Sequence, residues 1–124
     1  MSEDFATKHW PIEIRMKTEE KRLEIDFDNG EGISIPAELL RVESPSAEVQ
    51  GHGPSQKTTV TGRRHVNIIG VEPVGNYAVR IRFDDLHDTG LFSWRYLYQL
   101  GSGQDQLWED YLTRLEEQGL SREP

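Results

Sequence analysis

Two stretches near the start of the chain, Ile12-Glu13-Ile14-Arg15-Met16-Lys17 and Leu23-Glu24-Ile25-Asp26-Phe27-Asp28, alternate apolar and charged residues without a break. That is the period of a half-buried strand. Charge then suggests how the two strands pair. With Lys17 opposite Glu24 and Arg15 opposite Asp26, Met16 meets Ile25 and Ile14 meets Phe27. A slide of two residues would instead set Lys17 against Arg22, an unfavourable like-charge pair. The sequence therefore predicts an antiparallel hairpin in the first of these registers.

A second hairpin is expected from Val66-Asn67-Ile68-Ile69-Gly70-Val71 and Tyr77-Ala78-Val79-Arg80-Ile81-Arg82-Phe83. Apolar matching sets Val71 opposite Val79 and Ile69 opposite Ile81. A strict two-residue turn at Gly75-Asn76 would oppose Val71 to Arg80, so a three-residue loop around Val74-Gly75-Asn76 is preferred. Arg80 and Arg82 then fall on the outer face. Asn29-Gly30 marks a turn followed by a short strand at Ile33-Ser34-Ile35, and Leu91-Phe92 forms another brief strand after the acidic turn at 84–90.

Helical signals fill the remainder. Pro36 suits the first position of a short helix reaching Leu40. Ser44 as cap, Pro45 at N1 and Gly51 as terminator outline a single helical turn. Ser93 caps a helix over 94–100, with Trp94, Leu97 and Tyr98 on one face. Gly101-Ser102-Gly103 reads as a link to a last helix over 105–118, where Leu107, Trp108, Tyr111, Leu112 and Leu115 form one apolar stripe. The rest of the polar segment 43–65 carries no evident element and is expected to be mobile. The expected fold is α+β: two antiparallel hairpins in a small sheet, packed with short helices and an amphipathic C-terminal helix. The chain divides into a tail at 1–9, a domain at 10–100, and a linker with helix at 101–124.

One domain of 124 residues buries roughly 60–70% of the surface its unfolded chain exposes. Cysteine is absent, which excludes disulfides, thiolate-held zinc, thiolate-ligated iron–sulfur clusters and cysteine nucleophiles. The net charge of −8 argues against a general nucleic-acid binder. The charge is uneven: Lys57, Arg63, Arg64, Arg80 and Arg82 face only Glu72 between 57 and 82, while residues 105–124 are strongly acidic. No apolar run approaches membrane-spanning length, and Met1-Ser2-Glu3-Asp4 is acidic where a signal peptide is basic, so a cytoplasmic protein is expected.

Several motifs together resemble one family: Trp10-Pro11, Ile35-Pro36-Ala37-Glu38-Leu39-Leu40-Arg41, Ser44-Pro45-Ser46-Ala47-Glu48-Val49-Gln50-Gly51-His52, Val71-Glu72-Pro73-Val74-Gly75-Asn76-Tyr77, and Phe83-Asp84-Asp85-Leu86-His87-Asp88-Thr89-Gly90 with Trp94. Over roughly 10–100 the chain is similar to the gamma-butyrobetaine hydroxylase-like N-terminal domains. In the hydroxylase, such a domain precedes a 2-oxoglutarate oxygenase and holds a structural zinc through a Cys-Pro-Cys-x-x-Cys run and a distant histidine. The resemblance puts Ser44, Ser46 and Val49 at the cysteine places and His87 at the histidine place. Serine hydroxyls are poor zinc ligands and valine is none, so no such zinc is expected. Hydroxylase activity is not carried over either, because no room remains for the oxygenase domain. His87 is instead expected to donate to an oxygen of Ser44 or Ser46.

The resemblance also implies a context, since related domains occur fused to ATPases that carry iron–sulfur clusters and as small free-standing bacterial proteins. The first expectation is thus a non-catalytic adaptor that contacts an iron–sulfur carrier or metalloenzyme. Its surface would be the 43–56 loop and the His87 turn, including Glu48, His52, Asp85 and Asp88, aided by Arg80 and Arg82. The alternative is a zinc or iron protein using His87 with His52, Glu48, Asp85 or Asp88. Ser44, Ser46, His87 and Asp88 supply the ingredients of a hydrolytic triad, but no nucleophile elbow or oxyanion loop accompanies them.

Overall fold

The first hairpin forms in the register that the charges argued against. Lys17 faces Arg22, Arg15 faces Glu24 and Ile14 faces Ile25. Arg22 makes this tolerable by turning to the next strand, where its Nε donates to Ser34 Oγ at 2.7 Å and its Nη2 to the Ser34 carbonyl at 2.9 Å. Arg15 reaches diagonally, with both Nη atoms on Asp26 at 2.8 and 3.2 Å and Nε on Glu24 at 3.2 Å. The expected Arg15–Asp26 ion pair therefore survives the slide. The turn between the strands puts Lys21 in the left-handed region at φ 57, and the Lys21 carbonyl accepts the Ala37 N–H at 2.8 Å.

The computed structural model describes residues 9–51 and 53–124. The tail assigned to 1–9, apart from residue 9, lies outside the described residues, as does His52. The strands are β1 (Pro11–Lys17), β2 (Arg22–Phe27), β3 (Gly32–Pro36), β4 (Ile68–Val74), β5 (Ala78–Phe83) and β6 (Leu91–Ser93). The helices are α1 (Ala37–Val42), α2 (Ala47–Gln50), α3 (Trp94–Ser102) and α4 (Gln104–Gln118), with a 3-10 turn at Pro54–Gln56. The fold is α+β. The hairpins occupy two antiparallel sheets, β1-β2-β3 and β4-β5-β6, each widened by the short third strand expected from the sequence.

The second hairpin also slips by two residues, so that Val71 faces Ile81 and Val74 faces Ala78. The loop has three residues, as expected, but begins one position later, at Gly75-Asn76-Tyr77. Gly75 has φ 56, a conformation that glycine adopts without the penalty of a side chain. Ile69 is taken up in a bulge between Ile68 and Gly70. Arg80 and Arg82 face solvent.

Leu23, Ile25 and Phe27 from β2 and Val79, Ile81 and Phe83 from β5 form the core, closed by residues of α1, α3 and α4. β2 and β5 are the central strands, which is why their alternation translates into complete burial on one face. β1 and β4 are outer strands, where Pro11 and Pro73 cost no ladder hydrogen bond. Tyr111 and Leu115 are buried, so α4 packs on the domain and leaves Asp105, Glu109, Asp110, Glu116 and Glu117 exposed. Among the described residues, no helix is long and apolar enough to cross a membrane.

Ser93 caps α3 as expected, accepting from the Tyr96 N–H. The expected linker is not one, however, because Gly101 and Ser102 belong to α3 and only Gly103 separates it from α4. A Cβ on Gly101 would lie 2.7 Å from Ile33 Cβ, so the glycine lets α3 settle directly on β3. Alanine is normally the better helix former by about 1 kcal/mol. Here Gly101→Ala should destabilise the protein by about 1–3 kcal/mol through overpacking. Urea denaturation of the variant checks the sign.

Candidate functional site

α1 buries all six of its residues, among them Glu38 and Arg41, and Glu43 is buried just beyond it. Buried charges need partners, and each finds one from a distant segment. Arg122 forks onto Glu38 with both bonds at 2.8 Å. Lys57 Nζ meets both oxygens of Glu43 at 2.8 and 2.9 Å. Arg41 Nε donates to Asp85 Oδ2 at 2.7 Å, and Arg63 Nε donates to the same oxygen at 2.6 Å.

Asp85 passes this order to His87. Its other oxygen accepts the His87 backbone N–H at 3.1 Å. Burial works against ionisation of Asp85, but this N–H with the Arg41 and Arg63 guanidiniums outweighs it and holds the carboxyl below its usual range. Between them, Leu86 adopts φ 74 while 83% exposed. A branched residue in the left-handed region is strained, and the strain accompanies a tight turn that points the His87 ring inward.

The ring sits between two serines and a glutamate. Nε2 lies 2.9 Å from Ser44 Oγ and 3.4 Å from Ser46 Oγ, and the two hydroxyl oxygens are 3.3 Å apart. Nδ1 faces Glu48 Oε2 at 3.4 Å. Glu48 is anchored in turn by the Thr89 hydroxyl at 3.0 Å. Burial, followed by the Arg41 charge, lowers the His87 pKa below 6.5, against the opposing pull of Glu48 and Asp85. The ring is therefore neutral near pH 7, and because the Glu48 carboxylate can only accept, it favours the tautomer with Nδ1–H toward it and Nε2 facing the two serine hydroxyls. The expected contact between the His87 ring and the serines is present at Nε2.

Ser44, His87 and Glu48 stand in the order nucleophile, base and orienting carboxylate, with Glu48 in the place where Asp88 was expected. Ser44 nevertheless has no solvent-accessible surface. Gly90 lies so near that a Cβ there would collide with Ser44 Oγ and approach Phe92 at 3.1 Å and Pro45 at 3.3 Å. A substrate carbonyl has no route to this hydroxyl.

The set does not suit the zinc that the resemblance brings to mind. Both ring nitrogens already have partners, Ser44 and Ser46 offer neutral oxygens, and Val49 is a buried aliphatic side chain. Among the described residues, no group of three or more His, Asp and Glu is arranged to hold a metal ion.

Ser44, Ser46, Glu48, Asp85 and His87 thus come together, whereas Asp88 is exposed beside them and Arg80 and Arg82 lie on the outer face of β5. Arg82 pairs there with Glu72 at 3.5 Å. No local pattern announced that Arg41 and Arg63 serve Asp85, or that Gly90 seals Ser44. The only trace was Arg41 at the end of an otherwise apolar helical turn.

Because the folded protein lowers the His87 pKa, the stability contributed by the neutral ring is complete above pH 6.5 and is lost as pH falls through that value toward the lower folded one. Urea midpoints across this window should decline more steeply for the wild type than for His87→Gln. Ser44→Ala should cost about 1–3 kcal/mol by removing the nearer hydroxyl partner of the buried Nε2. Treatment with a chelator, or added zinc, should leave the melting temperature of tag-free protein unchanged.

The model for "Gamma-butyrobetaine hydroxylase-like, N-terminal" matches residues 14–98. Two solution NMR structures are similar along nearly the whole chain. One is 50% identical with a TM-score of 0.85, covering 100% of this chain and 92% of that one. The other is 47% identical with a TM-score of 0.81, covering 94% and 91%. A crystal structure from Acidithiobacillus ferrooxidans, described as a protein of unknown function in the DUF971 family, is 40% identical with a TM-score of 0.62 and covers 73% of this chain and 91% of that one. Among curated proteins, none matches. With the match spanning both sheets, α1 and the sealed histidine, the chain belongs to the gamma-butyrobetaine hydroxylase-like N-terminal family.

Proposed function

We propose that this domain is a non-catalytic interaction module that docks on a partner protein through the groove between its two sheets. The observation that carries this reading is the apolar surface along the outer strands. Ile12 is 70% exposed and Ile69 53%, with Trp10, Met16 and Tyr77 also exposed. The sequence pattern had turned Ile12 and Met16 inward, but β1 is an outer strand, irregular between Pro11 and Glu13, and both side chains remain in solvent. Between the strands runs a cleft of about 520 Å³ lined by Ile12, Ile14, Met16, Val71, Pro73 and Trp94, among others. An exposed apolar cleft of this kind, with further apolar side chains exposed on the same outer strands and their ends, is typical of protein contact sites.

Proline on both outer strands removes backbone donors that an added strand would need. Recognition by apolar side chains inserted into the groove fits this edge better than strand addition does. The sealed Ser44–His87 pair supports a role without chemistry. The resemblance to domains attached to an oxygenase and to iron–sulfur ATPases supports a metalloenzyme or iron–sulfur carrier as the partner.

Ile12→Asp and Ile69→Asp should each change stability by no more than about 0.5 kcal/mol, as exposed substitutions do. Site-specific photo-crosslinking from position 16 in cells should yield one dominant adduct that both variants abolish. An adduct pattern unchanged by either variant would overturn the reading.

A further inference from the structure

A second site lies away from this groove, where α1 meets α4. A cleft of about 530 Å³ opens there, lined by Glu38, Leu39, Asp105, Trp108, Glu109 and Arg122, among others. The Arg122 guanidinium is forked onto the buried Glu38 carboxylate and stacked on Trp108, 4.9 Å from the ring centroid. A planar cation held edge-on by a carboxylate and face-on by an indole is recognised as a guanidinium, a geometry that an ammonium cannot reproduce.

The segment that delivers Arg122 is otherwise lightly held. Residues 119–124 contribute no side chain to the apolar core. Their attachments to the 62–64 loop are the Gly62 N–H to the Ser121 carbonyl at 3.0 Å, the Arg64 N–H to the Arg122 carbonyl at 3.1 Å, and an exposed Arg64–Glu123 pair at 2.8 Å. Exposed backbone bonds without buried apolar contacts mark a segment that opens locally at low cost. Glu38, by contrast, does not tolerate an empty cleft, because its carboxylate would be left buried and unpaired. Opening is thus coupled to the arrival of another cation.

The rim selects for charge as well. Asp105 and Glu109 are exposed at its edge, and the one basic residue of α4, Arg114, turns inward to Glu43 at 3.4 Å. Arg22, the other cation of the lining, is engaged by Ser34. We infer that this cleft is a guanidinium-recognition site, filled in the free protein by its own Arg122 and open to an arginine-bearing segment of a partner protein that displaces it.

Titration of the full chain with the peptide acetyl-Gly-Ser-Arg-Glu-amide, followed by NMR at the Trp108 indole N–H and the Glu38 amide, tests this. Arg122→Ala should bind the peptide saturably and at least tenfold more tightly than the wild type, whose tethered arginine competes at an effective concentration in the millimolar range. The lysine version of the peptide should bind at least tenfold more weakly, and adding Glu38→Gln should abolish binding. Should Arg122→Ala lose its dispersed spectrum, Arg122→Lys, which keeps a charge but not the fork, carries the same comparison. No saturable shift in the folded variant, equal affinity for the two peptides, or equal affinity of wild type and variant would each overturn the proposal.

Discussion

A helix of six residues that buries an acid and a base, with a second acid directly behind it, fixes much of this molecule. Glu38, Arg41 and Glu43 lie within one and a half turns and have almost no contact with water. Their counter-ions are Arg122, Asp85, Lys57 and Arg114, with Arg63 joining Arg41 on Asp85, so α1 cannot be buried until segments up to 84 residues away have closed around it. Pairs of this kind add little net stability over apolar packing, yet breaking one is costly. Their effect here is to specify which loop lies against which face. The two sheets supply the apolar contacts, and α1 dictates how the long connections wrap them.

The His87 turn is one product of that arrangement. Arg41 and Arg63 hold Asp85, Asp85 holds the His87 backbone, and the ring drops between Ser44, Ser46 and Glu48. In a chain without cysteine, this pocket is closed by hydrogen bonds. The neutral imidazole is suited to this because it presents one donor and one acceptor to different partners. Its value to the protein is the joining of the 84–90 turn to the segment that follows α1, which otherwise share no strand.

Much of this was legible beforehand, and the failures have physical causes. Alternation and turn residues located both hairpins, and Ser93 located the start of α3. Both registers slipped by two residues because pairwise charge and apolar matching considered only the two strands involved. Arg22 had a third strand to turn to, and Gly75 preferred to open its loop rather than centre it. A slip of two preserves the faces, so the inward faces of β2 and β5 were identified correctly even where the partners were not, whereas Ile12, Met16 and Ile69 on the outer strands stay exposed. The serine–histidine contact was visible only through the resemblance, since residues 44 and 87 share no local pattern. Gly101 was misread because a glycine chosen for close approach looks, in sequence, like a glycine chosen for flexibility.

The prolines on β1 and β4 have a wider meaning. A protein that displays isoleucine along open sheet margins runs the hazard of stacking with copies of itself into fibrils. At Pro11 and Pro73 the margin lacks the amide hydrogen that a growing stack would require, so each ladder is interrupted before it can propagate. The apolar seam between the sheets can thus stay uncovered without offering these two strands as templates.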